Sequence, residues 1–365
     1  MPRFLGLGNG SDGVIDLSSY TPLSYSCSGS SGSYSLTATG SFSAGQRLFI
    51  IQSRGSGVGE YEDNQVVSYS PGTVSLLFPL EHTYTDSGAS QAQVIIVKQA
   101  SSVTGSITVP AWNGDVGGVF VMACNGIFNG TVNASGRGYV GGQDGWYYGR
   151  NQWGRQGEGT PGPRGGATTA ANGNGGGGAY MRDGDTNAEG QGGGGGGYGT
   201  AGQNGKWYIN ENYYGLGGNI VGTETLSSLY FGGGGGGGGM GDGTPTTSRG
   251  WGQPGGGIIV VYTNSFSSSA SLITNGVDGN SADGDQGGGG AGAGGSVLMK
   301  ARSVSIGSSK ITANGGARGT EGSWGGAGGV GRIRIEACSL SGTTNPGAST
   351  AIGGHNYCGV LAGMI

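Results

Sequence analysis

Glycine makes up 92 of the 365 residues, charged residues only 10%, and the formal net charge is −4. That much glycine without a G-X-Y period excludes collagen, while low charge with 17 Tyr and 6 Trp argues against a disordered chain. The 17 Lys and Arg are scattered, not the basic stripe of a nucleic-acid binder, and no apolar run approaches the roughly 20 residues that cross a bilayer.

The opening residues, Met1 to Gly13, are too short in apolar run and too rich in glycine for a signal peptide. Residues 1–112 then read as a β domain. Ser33–Thr39 alternates, Arg47–Gln52 is a short buried run, and Gln65–Tyr69 with Thr73–Phe78 forms a hairpin across Ser70-Pro71-Gly72. Pro then Gly at the turn's centre favours type II. Gln93–Lys98 and Gly105–Val109 add strands, and several short strands with turn signals point to a small sandwich or barrel. No stretch has a helical period, so the expected fold class is all-β with almost no helix.

From residue 113 to 338 the composition changes to a glycine-rich repeat body, followed by a tail over 339–365. Four segments share a frame: a glycine pair, an alternating strand, a gap, a second short strand and a glycine turn. They start at Gly117-Gly118, Gly256-Gly257, Gly294-Gly295 and Gly331, and the fourth keeps only the first half, as an end cap would. One unit cannot bury its apolar face alone, so stacked β units or paired sheets are expected.

Runs of pure glycine lie between these units: 175–178, 192–197, 232–239 and 287–290. They read either as flexible linker or as packed polyglycine II, a three-per-turn helix whose backbone groups bond sideways to neighbours. The long insert 139–255 is also aromatic, with Trp146, Tyr147, Tyr148, Trp153, Tyr198, Trp207, Tyr208, Tyr213, Tyr214, Tyr230, Phe231 and Trp251. Rigid amphipathic rings either roof a glycine bundle or recognise a ligand such as a sugar. Trp146, Tyr147, Tyr148, Trp153, Trp207, Tyr208, Tyr213, Tyr214 and Trp251 are the binding candidates.

Chemistry-like motifs are weak. Two G-x-G-x-x-G matches, from Gly136 and Gly197, open no helix in a βαβ unit and are chance in so glycine-rich a chain. Asp183, Asp185 and Asn187 space oxygens as a calcium loop does, but the sixth place is Ala188 and not glycine. Asp278, Asp283 and Asp285 form a second acidic turn. Glu60, Glu62 and Asp63 sit together in an apparent loop, where a carboxylate pair would serve a glycosidase. With two histidines in all, no His-rich metal site or cofactor is implied. Of the four cysteines, Cys338 and Cys358 are placed to clip the C-terminal tail; buried free thiols are the other reading.

The phrase Gly326-Ala327-Gly328-Gly329-Val330-Gly331-Arg332-Ile333-Arg334-Ile335-Glu336-Ala337, with Gly10–Val14 and Tyr84–Val94, resembles a largely uncharacterised set of glycine-rich repeat proteins of bacteria and phages. Residues 165–335 are similar in composition to phage tail-fibre tip adhesins. That resemblance implies packed polyglycine II helices presenting loops to a host surface. It also implies a non-enzymatic protein of the virion surface or extracellular space, whose partners are itself, as a homo-oligomer, and a host glycan or protein. The alternatives are a subunit of an extracellular filament or surface layer and, third, a polysaccharide-processing enzyme.

Overall fold

The computed structural model describes residues 2–143, 153–179, 190–206, 214–239, 250–281, 287–319, 324–355 and 357–358. Among these the fold is all-β, with one short 3-10 turn at Leu17–Ser19.

After β1 (Val14–Asp16), six strands close a barrel: β2 (Ser24–Ser28), β3 (Ser35–Ala38), β4 (Arg47–Arg54), β5 (Tyr61–Ser70), β6 (Thr73–Leu76) and β7 (Gln91–Ala100). The order around it is β7-β2-β3-β6-β5-β4, and β4 pairs back onto β7. The turn between β5 and β6 carries Gly72 at φ +84°, the left-handed place that type II assigns to glycine. Inward residues Leu36, Leu48, Ile50, Val66, Val74, Leu76, Val94 and Ile96 fill the barrel, which therefore has no lumen. Strand periodicity turns the alternate residues Phe49, Ile51, Ile95 and Val97 outward. They are just as buried, because that wall packs on the rest of the chain.

The repeat units form two parallel sheets. β8 (Ser102–Thr104) and β9 (Ser106–Thr108) begin them, followed by β10 (Val119–Phe128) with β11 (Thr131–Asn133), β12 (Ile258–Phe266) with β13 (Ser271–Ile273), and β14 (Ser296–Ser305) with β15 (Ile311–Thr312). β16 (Arg332–Ser341) continues the large sheet. Its order is β7-β10-β12-β14-β16-β17, where β17 is Ser349–Ile352, and the small sheet runs β9-β11-β13-β15. Like residues stack from rung to rung, Met122 on Val261 on Met299 on Ile335. The fourth unit is thus not the end of the stack, because β17 pairs parallel outside it through Arg334 to Ala337. β10 and β12 are buried on both faces over Val119–Cys124 and Ile258–Thr263. Phe120, Met122, Ile259 and Val261 face the small sheet across one core, while Val119, Val121, Ile258 and Val260 face the barrel wall across another.

β7 belongs to both bodies. It is antiparallel to β2 and β4 in the barrel and parallel to β10 in the large sheet. A buried ion pair ties the barrel to the glycine body, Arg54 of β4 to Glu158, whose carboxylate also accepts from Trp112 Nε1 at 3.0 Å and from the Val140 N–H at 3.1 Å.

The glycine runs are ordered. Twelve described segments lie side by side: 138–143, 153–159, 174–179, 190–199, 200–206, 214–219, 231–239, 250–257, 274–281, 287–295, 313–319 and 324–331. Their backbone bonds step by three. Gly232, Gly235 and Gly238 donate to Gly256, Gln253 and Gly250, so the two segments run antiparallel with a three-residue repeat. Segment 190–199 bonds to six neighbours, through Gly177, Gln203, Gly218, Gly236, Gly288 and Gly326. Segments 231–239 and 287–295 are surrounded in the same way.

Close approach is why these residues are glycine. A Cβ on Gly236 would stand 1.8 Å from the Gly177 carbonyl oxygen, and one on Gly196 2.0 Å from that of Gly233. Gly166, by contrast, has nothing within 4 Å. Gly236→Ala is therefore expected to destabilise the chain by about 3 kcal/mol or more through overpacking, and Gly166→Ala to change its thermal midpoint by no more than about a degree or two. Equal midpoints for the two variants in a calorimetric scan would refute the packed lattice.

Candidate functional site

The twelve segments alternate in direction. They leave the barrel-and-sheet end at 138, 174, 200, 231, 274 and 313, and they return to it at 159, 199, 219, 257, 295 and 331. At the far end Gln143 meets Arg155, Ala179 meets Gly154, Gly239 meets Gln191 and Gly287, and Lys206 meets Trp324, all through backbone bonds of 2.8–2.9 Å. Six chain connections, 144–152, 180–189, 207–213, 240–249, 282–286 and 320–323, start and finish at that one end.

Side-chain content follows position in the lattice. Segment 190–199 has neighbours on all sides and runs as glycine from Gly192 to Gly197. Segment 324–331, with neighbours on four sides, reads Trp324-Gly-Gly-Ala327-Gly-Gly-Val330-Gly, one outward side chain in three. Segment 200–206, bonded on three sides, keeps glycine only at Gly202 and Gly205. Each outward position is a place to hang chemistry on a scaffold fixed by its own backbone.

The aromatic candidates divide between the two ends. Tyr139, Tyr198 and Phe231 are fully buried at the near end, with Trp112, Leu226 and Leu229, in the core shared with the barrel wall. The Tyr139 hydroxyl donates to Ser53 O at 2.6 Å and the Tyr198 hydroxyl pairs with Ser296 Oγ at 2.7 Å; burial raises both phenols well above their ordinary pKa. These rings roof the bundle. At the far end stand Trp153 and Tyr214, half-buried, and Trp251, 43% exposed. Trp146, Tyr147, Tyr148, Trp207, Tyr208 and Tyr213, together with the calcium candidates Asp183, Asp185 and Asn187, lie outside the described residues. Two far-end residues escaped the sequence reading. Trp324 is 37% exposed, and the Arg318 guanidinium lies 4.4 Å from its ring centroid. The readable signal was the triplet frame, which aims position 324 outward along with 327 and 330.

The carboxylates read as a loop cluster are elsewhere. Glu62 and Asp63 are buried in β5 and, as strand neighbours, point to opposite sides of it. Glu62 accepts from Arg3 Nη1 at 3.0 Å and from the Glu81 N–H; Asp63 pairs with Arg47 and accepts from the Leu5 N–H at 3.2 Å. Both hold the N-terminal strap across the barrel, and Glu60 alone approaches His82, at 3.7 Å. Among the described residues no group of three or more His, Cys, Asp or Glu is placed to hold a metal ion. Cys338 and Cys358 form a disulfide, with Cα atoms 5.5 Å apart, whereas Cys27 and Cys124 are buried free thiols. Each reading of the cysteines thus holds for one pair.

Neither a protein-family model nor a curated protein matches the chain. Among solved structures, part of it is similar to a chain described as the Gp54 tailspike of Acinetobacter baumannii bacteriophage AP22 in complex with A. baumannii capsular saccharide. The identity is 11%, the match spans 32% of this chain and 25% of that one, and the TM-score is 0.18, at which the likeness carries no argument.

Burial pushes the Glu62 carboxyl up to about 7, against the opposing pull of the Glu81 N–H and of Arg3. The folded value lies above the ordinary 4.5, so the folded chain holds the extra proton between the two. Its contribution to stability is complete below the lower value and is lost as pH rises through the upper one. From pH 5 to pH 8 the thermal midpoint of the wild type is expected to fall relative to that of Glu62→Gln. Parallel midpoint curves would show that Glu62 does not titrate there.

Proposed function

We propose that this chain is a non-enzymatic, virion-surface adhesin of the tail-fibre kind that binds host-surface polymers with the far end of its glycine bundle. One observation carries the reading: six chain connections are brought to a single end of a lattice whose interior is almost entirely glycine. Such a lattice gives little by its own side chains. Its use lies in presenting what is attached to its end, as recognition loops are presented by rigid scaffolds. The aromatic residues of the connecting stretches suit that use in sequence, since Trp and Tyr give large contact area at low conformational cost.

A second reading, self-assembly into a filament, is favoured by the edge of the large sheet. There, among the described residues, β17 has a partner on one side only, and its Ile352 is 51% exposed. An open edge is a template for another strand.

The purified, fluorescently labelled chain should bind a susceptible bacterial host saturably, as discrete particles in negative-stain micrographs. Replacing residues 144–152, which hold Trp146, Tyr147 and Tyr148, by a Gly/Ser stretch of equal length should reduce that binding at least about tenfold, or about 1.4 kcal/mol, and leave the thermal midpoint unchanged. Regular fibres with no cell binding would establish the filament reading instead.

A further inference from the structure

Three outward residues meet on one flank of the far end. Segments 313–319, 324–331 and 200–206 lie next to one another, with Gly328 donating to Gly316 O and Lys206 donating its N–H to Trp324 O at 2.8 Å. Trp324 is the first outward side chain of the middle segment as the chain re-enters the bundle, and Arg318 and Lys206 lie at the far ends of the segments on either side. Both basic residues are exposed. The Arg318 guanidinium packs over the Trp324 ring, and neither cation takes a carboxylate partner among the ion pairs of the described residues.

We propose that Trp324, Arg318 and Lys206 form a subsite for an acidic saccharide, a sugar unit bearing a carboxylate. The inference rests on the adhesin reading above and names the ligand class for one flank of that end. A guanidinium stacked on an aromatic ring is held in plane, and its N–H donors remain free at its edge to bind a carboxylate in bidentate fashion. The ring keeps an exposed portion for the apolar face of a sugar, as amphipathic aromatics do at contact surfaces. Lys206 adds a second, mobile positive charge from the neighbouring segment. The backbone lattice fixes all three attachment points, so the site loses little entropy when it is occupied. An extended polyanion such as nucleic acid fits less well: two cations on one flank offer no stripe to follow, and the chain carries net charge −4.

The test is titration of the full-length protein with tetragalacturonate, and with maltotetraose as the neutral control, followed by tryptophan fluorescence and calorimetry. The wild type should bind the uronate and not the neutral sugar, and the affinity should weaken as salt rises. Arg318→Gln should weaken it at least about tenfold, and Trp324→Leu should do the same and remove part of the fluorescence change. Lys206→Gln should weaken it about threefold. All three positions are at the surface, so their thermal midpoints should match the wild type. Uronate binding absent from the wild type, or undiminished in Arg318→Gln, overturns the subsite. The adhesin reading is scored separately: if the Arg318→Gln, Lys206→Gln double variant still binds uronate and cells, the subsite fails and the adhesin stands. If the wild type binds uronate through these residues but binds no host cell, the subsite stands and the adhesin fails.

Discussion

The structure depends on backbone groups bonding to backbone groups at a distance no side chain can enter. Ordering eight consecutive glycines costs more chain entropy than ordering any other residues. What offsets that cost is a lattice in which segments 190–199, 231–239 and 287–295 each find bonding partners on every side. The spacing follows from the missing Cβ, and the missing Cβ is then compulsory, since a methyl group at Gly236 or Gly196 would collide with a carbonyl oxygen. Outer segments escape the constraint on their free sides, which is why side chains appear there at intervals of three.

A bundle whose interior is almost entirely glycine has no large hydrophobic core of its own. The rest of the molecule supplies one at a single end. Phe49, Ile51, Ile95 and Val97 from the barrel wall, Val119, Val121, Ile258 and Val260 from the large sheet, and Tyr139, Tyr198 and Phe231 from the bundle meet in one apolar layer. The parallel sheets continue directly into glycine segments, β12 from 250–257 and β13 into 274–281, so each rung anchors its own excursion. The barrel is tied in by β7, by Arg54 on Glu158, and by the strap from Arg3 to Gly8. In that strap Phe4 lies edge-on to Tyr262, with ring centroids 5.0 Å apart.

Much of this was legible in the residues. The glycine-pair-then-strand frame located β10, β12, β14 and β16 closely, because strand starts follow the last glycine of a run. The hairpin at Ser70-Pro71-Gly72 and the strands around Phe49 and Ile95 were read from β-branched and aromatic runs. Three features were hidden. β2 is short and rich in serine and β8 has only three residues, so their pairing depends on neighbours and not on propensity. Glu62 and Asp63 looked like loop carboxylates because their partners, Arg3 and Arg47, lie 59 and 16 residues away. At the far end, Trp324 and Arg318 were invisible as a pair because no sequence period shows that segments 313–319 and 324–331 are adjacent and antiparallel.

The six-sided surroundings of segment 190–199 bear on when the molecule can be completed during synthesis. Its bonds to Gly177 and Gln203 are available early, but Gly326 donates to Gly193, and Gly329 to Gly196, from more than 130 residues further along. Segment 287–295 likewise awaits Gly316 and Gly326. Until residue 331 has been made, two of the three central segments have an unfilled side and backbone groups bonded to water. The barrel can form while the chain is still emerging, but the glycine lattice closes late and all together, as expected for a structure dominated by contacts distant in sequence.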